Sequence, residues 1–145
     1  MPGTKLSTRD CDGHVIAVLS GELDILGAAL VTAGLTAVTA REPKVIVDLA
    51  GLEFIDCSGI AVLARACKLA RHAGGELRLA APRPRVLRVL TLTRLTDVIP
   101  VHASVAEAAA AAKQGTELTA LLRLVRAAAG DSVQAERRVG AISVA

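Results

Sequence analysis

The chain has no tryptophan, no tyrosine and one phenylalanine, Phe54, among 145 residues. Binding single-stranded nucleic acid relies on aromatic rings that stack bases, so this composition argues against that class. The core has to be built from Leu, Val, Ile and Ala, and at 52% hydrophobic the chain has enough of them. No uninterrupted apolar run approaches the ~18 residues of a spanning helix, so no membrane partner is expected. The opening MPGTKLSTRDCDG lacks the apolar stretch of a secretory signal. The cysteines are few and odd in number: Cys11, Cys57 and Cys67. Their spacing fits neither a zinc site nor a disulfide framework, which suits a cytoplasmic protein.

Chemistry-bearing motifs are equally sparse. There is no Walker A loop and no G-x-G-x-x-G. Ser58 does not stand in a G-x-S-x-G elbow. His14, His72 and His102 have no acid at a spacing that suggests a triad or a metal site. The expectation is a protein that is not an enzyme and carries no cofactor or metal. The net charge of +3 is small, and Lys and Arg are scattered along helices. They read as solvated helix faces, not as a duplex-binding patch.

What the chain does have is a periodic α/β pattern. Lys5 to Arg9 reads as a strand, and Asp12-Gly13 as a hairpin turn. His14 to Gly21 alternates, with Val15, Ala17 and Leu19 on one face and Ile16 and Val18 on the other. Asp24 is a plausible cap for a helix from Ile25 to about Thr39. Leu26, Leu30, Ala33 and Ala37 are expected to form its apolar stripe. Val45 to Leu49 is apolar without alternation, as in a central strand covered on both faces. A short loop with Asp56 and Ser58 is expected next. A helix then begins near Cys57, with Ile60, Leu63, Ala64, Cys67 and Ala70 inward. Gly74-Gly75 stops it. Glu76 to Ala80 reads as a strand, Pro84 opens a short helix, and Val98 to His102 reads as an edge strand. Ser104 is expected to cap a helix through Ala112. Thr116 is expected to start another, to Ala129, with Leu118, Leu121, Leu122 and Val125 on one face. The last residues have little pattern and read as a flexible tail.

Two stretches stand out: GELD at 21–24 and VIVDLAGLEFIDCSG at 45–59. A strand that delivers a serine to the first turn of a helix builds a defined site. Unpaired amides and the positive end of the helix dipole lie there, so a phosphate on Ser58 would be accommodated. Ser58 and Asp56 also read as ordinary helix-capping residues, and the residues alone leave both readings open.

These stretches, with Gly-Gly and a strand at 74–80, resemble the STAS domains of the anti-sigma factor antagonist family, over about residues 5 to 113. The resemblance implies an α/β fold: a single domain with a mostly parallel sheet, an antiparallel N-terminal hairpin and helices packed against it. The domain would span 1–113, with an extension at 114–145 formed by an amphipathic helix and then a tail. The resemblance implies that Ser58 is the phosphoacceptor. It places Glu22, Asp24, Asp56, Cys57, Ser58 and Gly59 at the partner-binding surface. The implied partner is an anti-sigma factor that is itself a serine kinase of the GHKL type. The unphosphorylated protein would bind it and free a sigma factor. Phosphorylation of Ser58 would end the association, and a phosphatase would reset it. The alternative within the family is a scaffold or small-ligand sensor in which Ser58 is never phosphorylated. Two residues depart from the pattern: Cys57, where relatives commonly carry Ser or Thr, and Arg94, where relatives often carry Gly.

Overall fold

The computed structural model describes residues 3–11 and 13–129. Five strands form one sheet in the order β1-β2-β3-β4-β5. β1 (Lys5–Cys11) runs antiparallel to β2 (His14–Leu23), and β3 (Lys44–Ile55), β4 (Glu76–Ala80) and β5 (Val101–His102) continue in parallel. α1 (Ile25–Arg41), α2 (Cys57–His72) and α3 (Pro84–Leu92) form the crossovers. Each crossover advances by one strand in the same direction. Uniform right-handedness then places all three helices on one face of the sheet.

Alternation in β2 and β3 decides what that face presents. Val15, Ala17 and Leu19 join Val45, Val47 and Leu49 in the main core, with Leu77 and Leu79 of β4. The expected inward positions of β2 and β4 are those observed. The opposite face carries a smaller cluster of Ile16, Ile46 and Ala80, covered by Val105, Ala108 and Ala109 at the start of α4 (Val105–Ala128). Fully burying one such Leu or Val side chain contributes about 1.5–3 kcal/mol, so an all-aliphatic core suffices.

Several boundaries differ from the sequence expectation. β3 does not stop at Leu49. It stays paired with β2 to Ile55, through two register shifts, one that sets Leu49-Ala50 against Leu19 alone and one that leaves Glu53 without a partner in β2. The expected loop is therefore a single residue, Asp56. The stripe of α1 is reversed. Gly27, Val31, Leu35, Val38 and Thr39 are buried, whereas Leu26 is 87% exposed, Leu30 is 57% exposed, and Ala33 and Ala37 are exposed. α1 is apolar on every side, so periodicity alone could not choose the buried face. In α2, Val62 and Ala66 are buried where Ala64 was expected.

The last strand is only Val101–His102, because Leu95–Asp97 turns as a short 3-10 helix before it. Pro100 still extends the ladder through its carbonyl, which accepts from the Leu79 amide at 2.9 Å. Ser104 caps α4 as expected, its Oγ accepting from the Glu107 amide at 3.1 Å. The break expected near Thr116 is absent: α4 continues through Gly115. A mid-helix glycine costs only about 1 kcal/mol, and no proline interrupts the segment. By contact density the chain divides into 1–109 and 110–145. Within the second unit, Leu118, Leu121, Leu122, Leu124 and Val125 are exposed. The expected flexible tail lies outside the described residues, as does Asp12.

Candidate functional site

β2 and β3 end side by side, and each hands the chain to a helix capped by an aspartate. Asp24 Oδ1 accepts from the amides of Leu26 and Gly27 at 3.0 and 3.2 Å. Asp56 Oδ1 accepts from the Gly59 amide at 3.1 Å. Its carbonyl also takes the Ile60 amide at 3.0 Å. Asp56 is thus the N-cap of α2, and Cys57, Ser58 and Gly59 are its first three helical residues. The capping role that the residues alone left open between Asp56 and Ser58 falls to Asp56. Ser58 makes no side-chain hydrogen bond among the described residues and is half-buried.

The GELD turn and the DCSG turn are one unit. Glu22 stands opposite Phe54, and Leu23 opposite Ile55. The Asp56 amide donates to the Leu23 carbonyl at 3.2 Å. Gly59 permits the close fit. A Cβ there would lie 2.6 Å from Ile55 Cγ1 and 2.9 Å from the Leu23 carbonyl oxygen. Gly21 adopts a φ of +85°, and a Cβ on it would collide with the Gly3 carbonyl.

All six predicted partner-binding residues therefore lie on two adjacent turns. They differ in exposure: Cys57 is exposed, Gly59 is buried, and Glu22, Asp24, Asp56 and Ser58 lie between. Asp48, farther back in β3, is engaged locally. Its Oδ1 accepts from the Ala50 amide at 3.0 Å. The other thiols differ from Cys57. Cys67 is fully buried, and burial pushes its thiol pKa up, partly offset by the Arg71 charge.

The sequence reading missed the flank of the site. α1 and α2 border an open groove of about 540 Å³ that runs from Ile25 and Ser58 to Arg65. The signal was present in α1, a helix with apolar residues all round.

A family model described as the STAS domain matches residues 5–108. The chain belongs to the STAS-domain family. It is 36% identical over 102 residues to the anti-sigma-F factor antagonist RsfA of Mycobacterium tuberculosis, covering 68% of this chain and 79% of that protein. It is 30% identical over 98 residues to the anti-sigma-B factor antagonist of Listeria monocytogenes, covering 67% and 85%. The crystal structure of an anti-sigma factor antagonist from Mycobacterium paratuberculosis superimposes with a TM-score of 0.71 at 26% identity, covering 77% of this chain and 95% of that one. The five-stranded mixed sheet with its antiparallel first pair is the STAS fold expected from the sequence.

Proposed function

We propose that this protein is an anti-sigma factor antagonist controlled by phosphorylation of Ser58. The observation that carries the reading is the position of Ser58 at the second residue of α2, with Asp56 occupying the cap. Its hydroxyl is committed to no other group among the described residues. The amides of Cys57 and Ser58 precede the first amides that Asp56 engages, so the helix end retains donors for an anion. The names of the relatives support an anti-sigma factor as partner.

The unphosphorylated protein binds a serine-kinase anti-sigma factor of the GHKL type and releases the sigma factor. The kinase transfers the γ-phosphoryl group of its ATP to Ser58 Oγ, and the hydroxyl proton leaves. Phosphoserine adds about −1.5 to −2 charges beside the carboxylate of Asp56. A helix N-terminus tolerates that charge, but a docked protein surface that excludes water does not. A phosphatase returns the hydroxyl. The protein acts in the cytoplasm as a binding module and needs no cofactor of its own.

The test is a purified anti-sigma kinase from the same genome with labelled ATP. Wild type should take label at Ser58, and Ser58→Ala should take none yet bind the kinase persistently. Ser58→Asp should bind weakly. Equal labelling of Ser58→Ala would remove Ser58 as the acceptor.

A further inference from the structure

The helices beside Ser58 leave an apolar surface that the turn itself does not explain. α1 contains only Thr32, Thr36, Thr39 and Arg41 as polar residues. A helix of that composition is normally buried all round. Here Ile25 is 73% exposed, with Leu26 and Leu30 also in solvent. The groove between α1 and α2 runs past Thr32 and Val62 to Arg65. Ser58 to Arg65 is seven helical residues, about 10 Å, so it spans about two turns of a docked helix.

Charge selects the occupant. Apart from the capping Asp24 and Asp56, whose carboxylates are engaged by backbone amides, α1, α2 and α3 carry no Asp or Glu, and α2 presents Arg65, Lys68 and Arg71. Arg65 lines the groove and forms no ion pair or hydrogen bond among the described residues. Unpaired guanidinium beside an apolar trough fits a carboxylate flanking an apolar stripe. A second copy of this face would bring like charges together. The exposed leucines of α4 are accompanied in sequence by Arg123 and Arg126 against a single Glu117, a net charge of the same sign.

We infer that the α1–α2 groove docks an amphipathic helix of the partner whose apolar face is flanked by acidic residues, with a carboxylate on Arg65. This rests on the proposed function, since it names the chemistry of the partner segment at the same site. Ser58 stands at the mouth of the groove. It lies on the same face of α2 as Arg65, two turns earlier. Phosphate added there places negative charge at the end of an acidic ligand's path.

The experiment uses the full chain and two synthetic three-turn helical peptides. Each has a leucine stripe, flanked by glutamate in one and by lysine in the other. Fluorescence anisotropy measures affinity, and amide shift mapping locates the site. Wild type should prefer the glutamate peptide by about tenfold or more. Shifts should fall on α1 and α2. Arg65→Glu should reverse the preference, and Ile25→Ser with Ala29→Asn, both on the groove wall, should abolish binding of both peptides. Those side chains are exposed, so an unchanged melting temperature will certify folding. Equal affinities, no binding, or shifts elsewhere would overturn the inference. A titration with the anti-sigma kinase separates it from the function. If the groove variants bind the kinase like wild type while Ser58→Asp does not, the groove inference fails and the function stands. If wild type binds the glutamate peptide in the groove but no anti-sigma factor, the function fails and the groove stands.

Discussion

The amide of Asp56 is hydrogen bonded to the carbonyl of Leu23 at 3.2 Å. This bond makes the end of β2 and the start of α2 a single piece of structure. Motifs more than thirty residues apart in sequence, GELD and DCSG, are held in register by it and by the Leu23–Ile55 pairing.

The two capping aspartates should contribute similarly to stability. Asp24→Ala and Asp56→Ala should each cost about 1 kcal/mol, and Asn at either position should restore most of it. Urea denaturation measures both. A loss only at Asp56 would mean that the α1 cap is energetically idle.

Gly59→Ala should be more damaging than either cap variant. Its Cβ would press on Ile55 and on the Leu23 backbone. Backbone cannot yield as a side-chain tip does, so the cost should be about 1–3 kcal/mol. The check is the thermal midpoint, which should fall by several degrees.

Arg94 is a second glycine-like position, this time occupied by a side chain. It sits in the left-handed region at φ +62° and ψ +20°, between α3 and the 3-10 turn. Its ion pair with Asp97, at 3.6 Å, is exposed and weak. Arg94→Gly should therefore be neutral or stabilising, by up to about 1 kcal/mol. A lower denaturation midpoint would show that the ion pair outweighs the backbone strain.

Stability should depend on His102. Burial, and then the Arg78 guanidinium 3.2 Å from its Nε2, hold its pKa below the ordinary 6.5, while Glu107 and Glu76 oppose them weakly. The unfolded chain binds the proton more readily, so the native state loses stability as pH falls below 6.5 toward the folded value. Above 6.5 the contribution is complete. His102→Gln should flatten this part of the stability–pH profile, measured by denaturant midpoints from pH 7.5 to 5.

The thiols should separate by reactivity. At pH 8, iodoacetamide should modify Cys57 readily and Cys67 only on unfolding, because Cys67 is buried and its thiol pKa is raised. Peptide mass spectrometry reads the order. Prompt labelling of Cys67 in the native state would mean that the α2 core opens.

Strand order, helix order and the Asp24 cap were legible because each rests on local chemistry: alternation in β2, continuous apolarity in β3, a short polar side chain before an apolar helix. Sequence leaves the α2 cap between Asp56 and Ser58, two short polar side chains two residues apart. The length of β3 was not legible. Ala50-Gly51 looks like a chain break, yet β2 supplies a parallel neighbour that carries the pairing onward through shifted register. The buried face of α1 was illegible for a different reason. With Leu and Val distributed all round, which of them packs is decided by Gly27 and Gly34. Side chains at these positions would strike Thr4 and Leu6, so this is the side that approaches β1. At the site, Ser58 could be placed by its motif, whereas the groove needs two helices brought together from different parts of the chain.

The first residues of the described chain also bear on how the protein is handled. Thr4 Oγ1 donates to the Glu22 carbonyl, and Gly3 lies against Gly21. Any sequence fused ahead of Gly3 therefore emerges beside the GELD turn. An affinity tag placed there would act as a tethered competitor for the proposed partner surface, and a cleavable tag would reveal this as a rise in partner affinity after its removal.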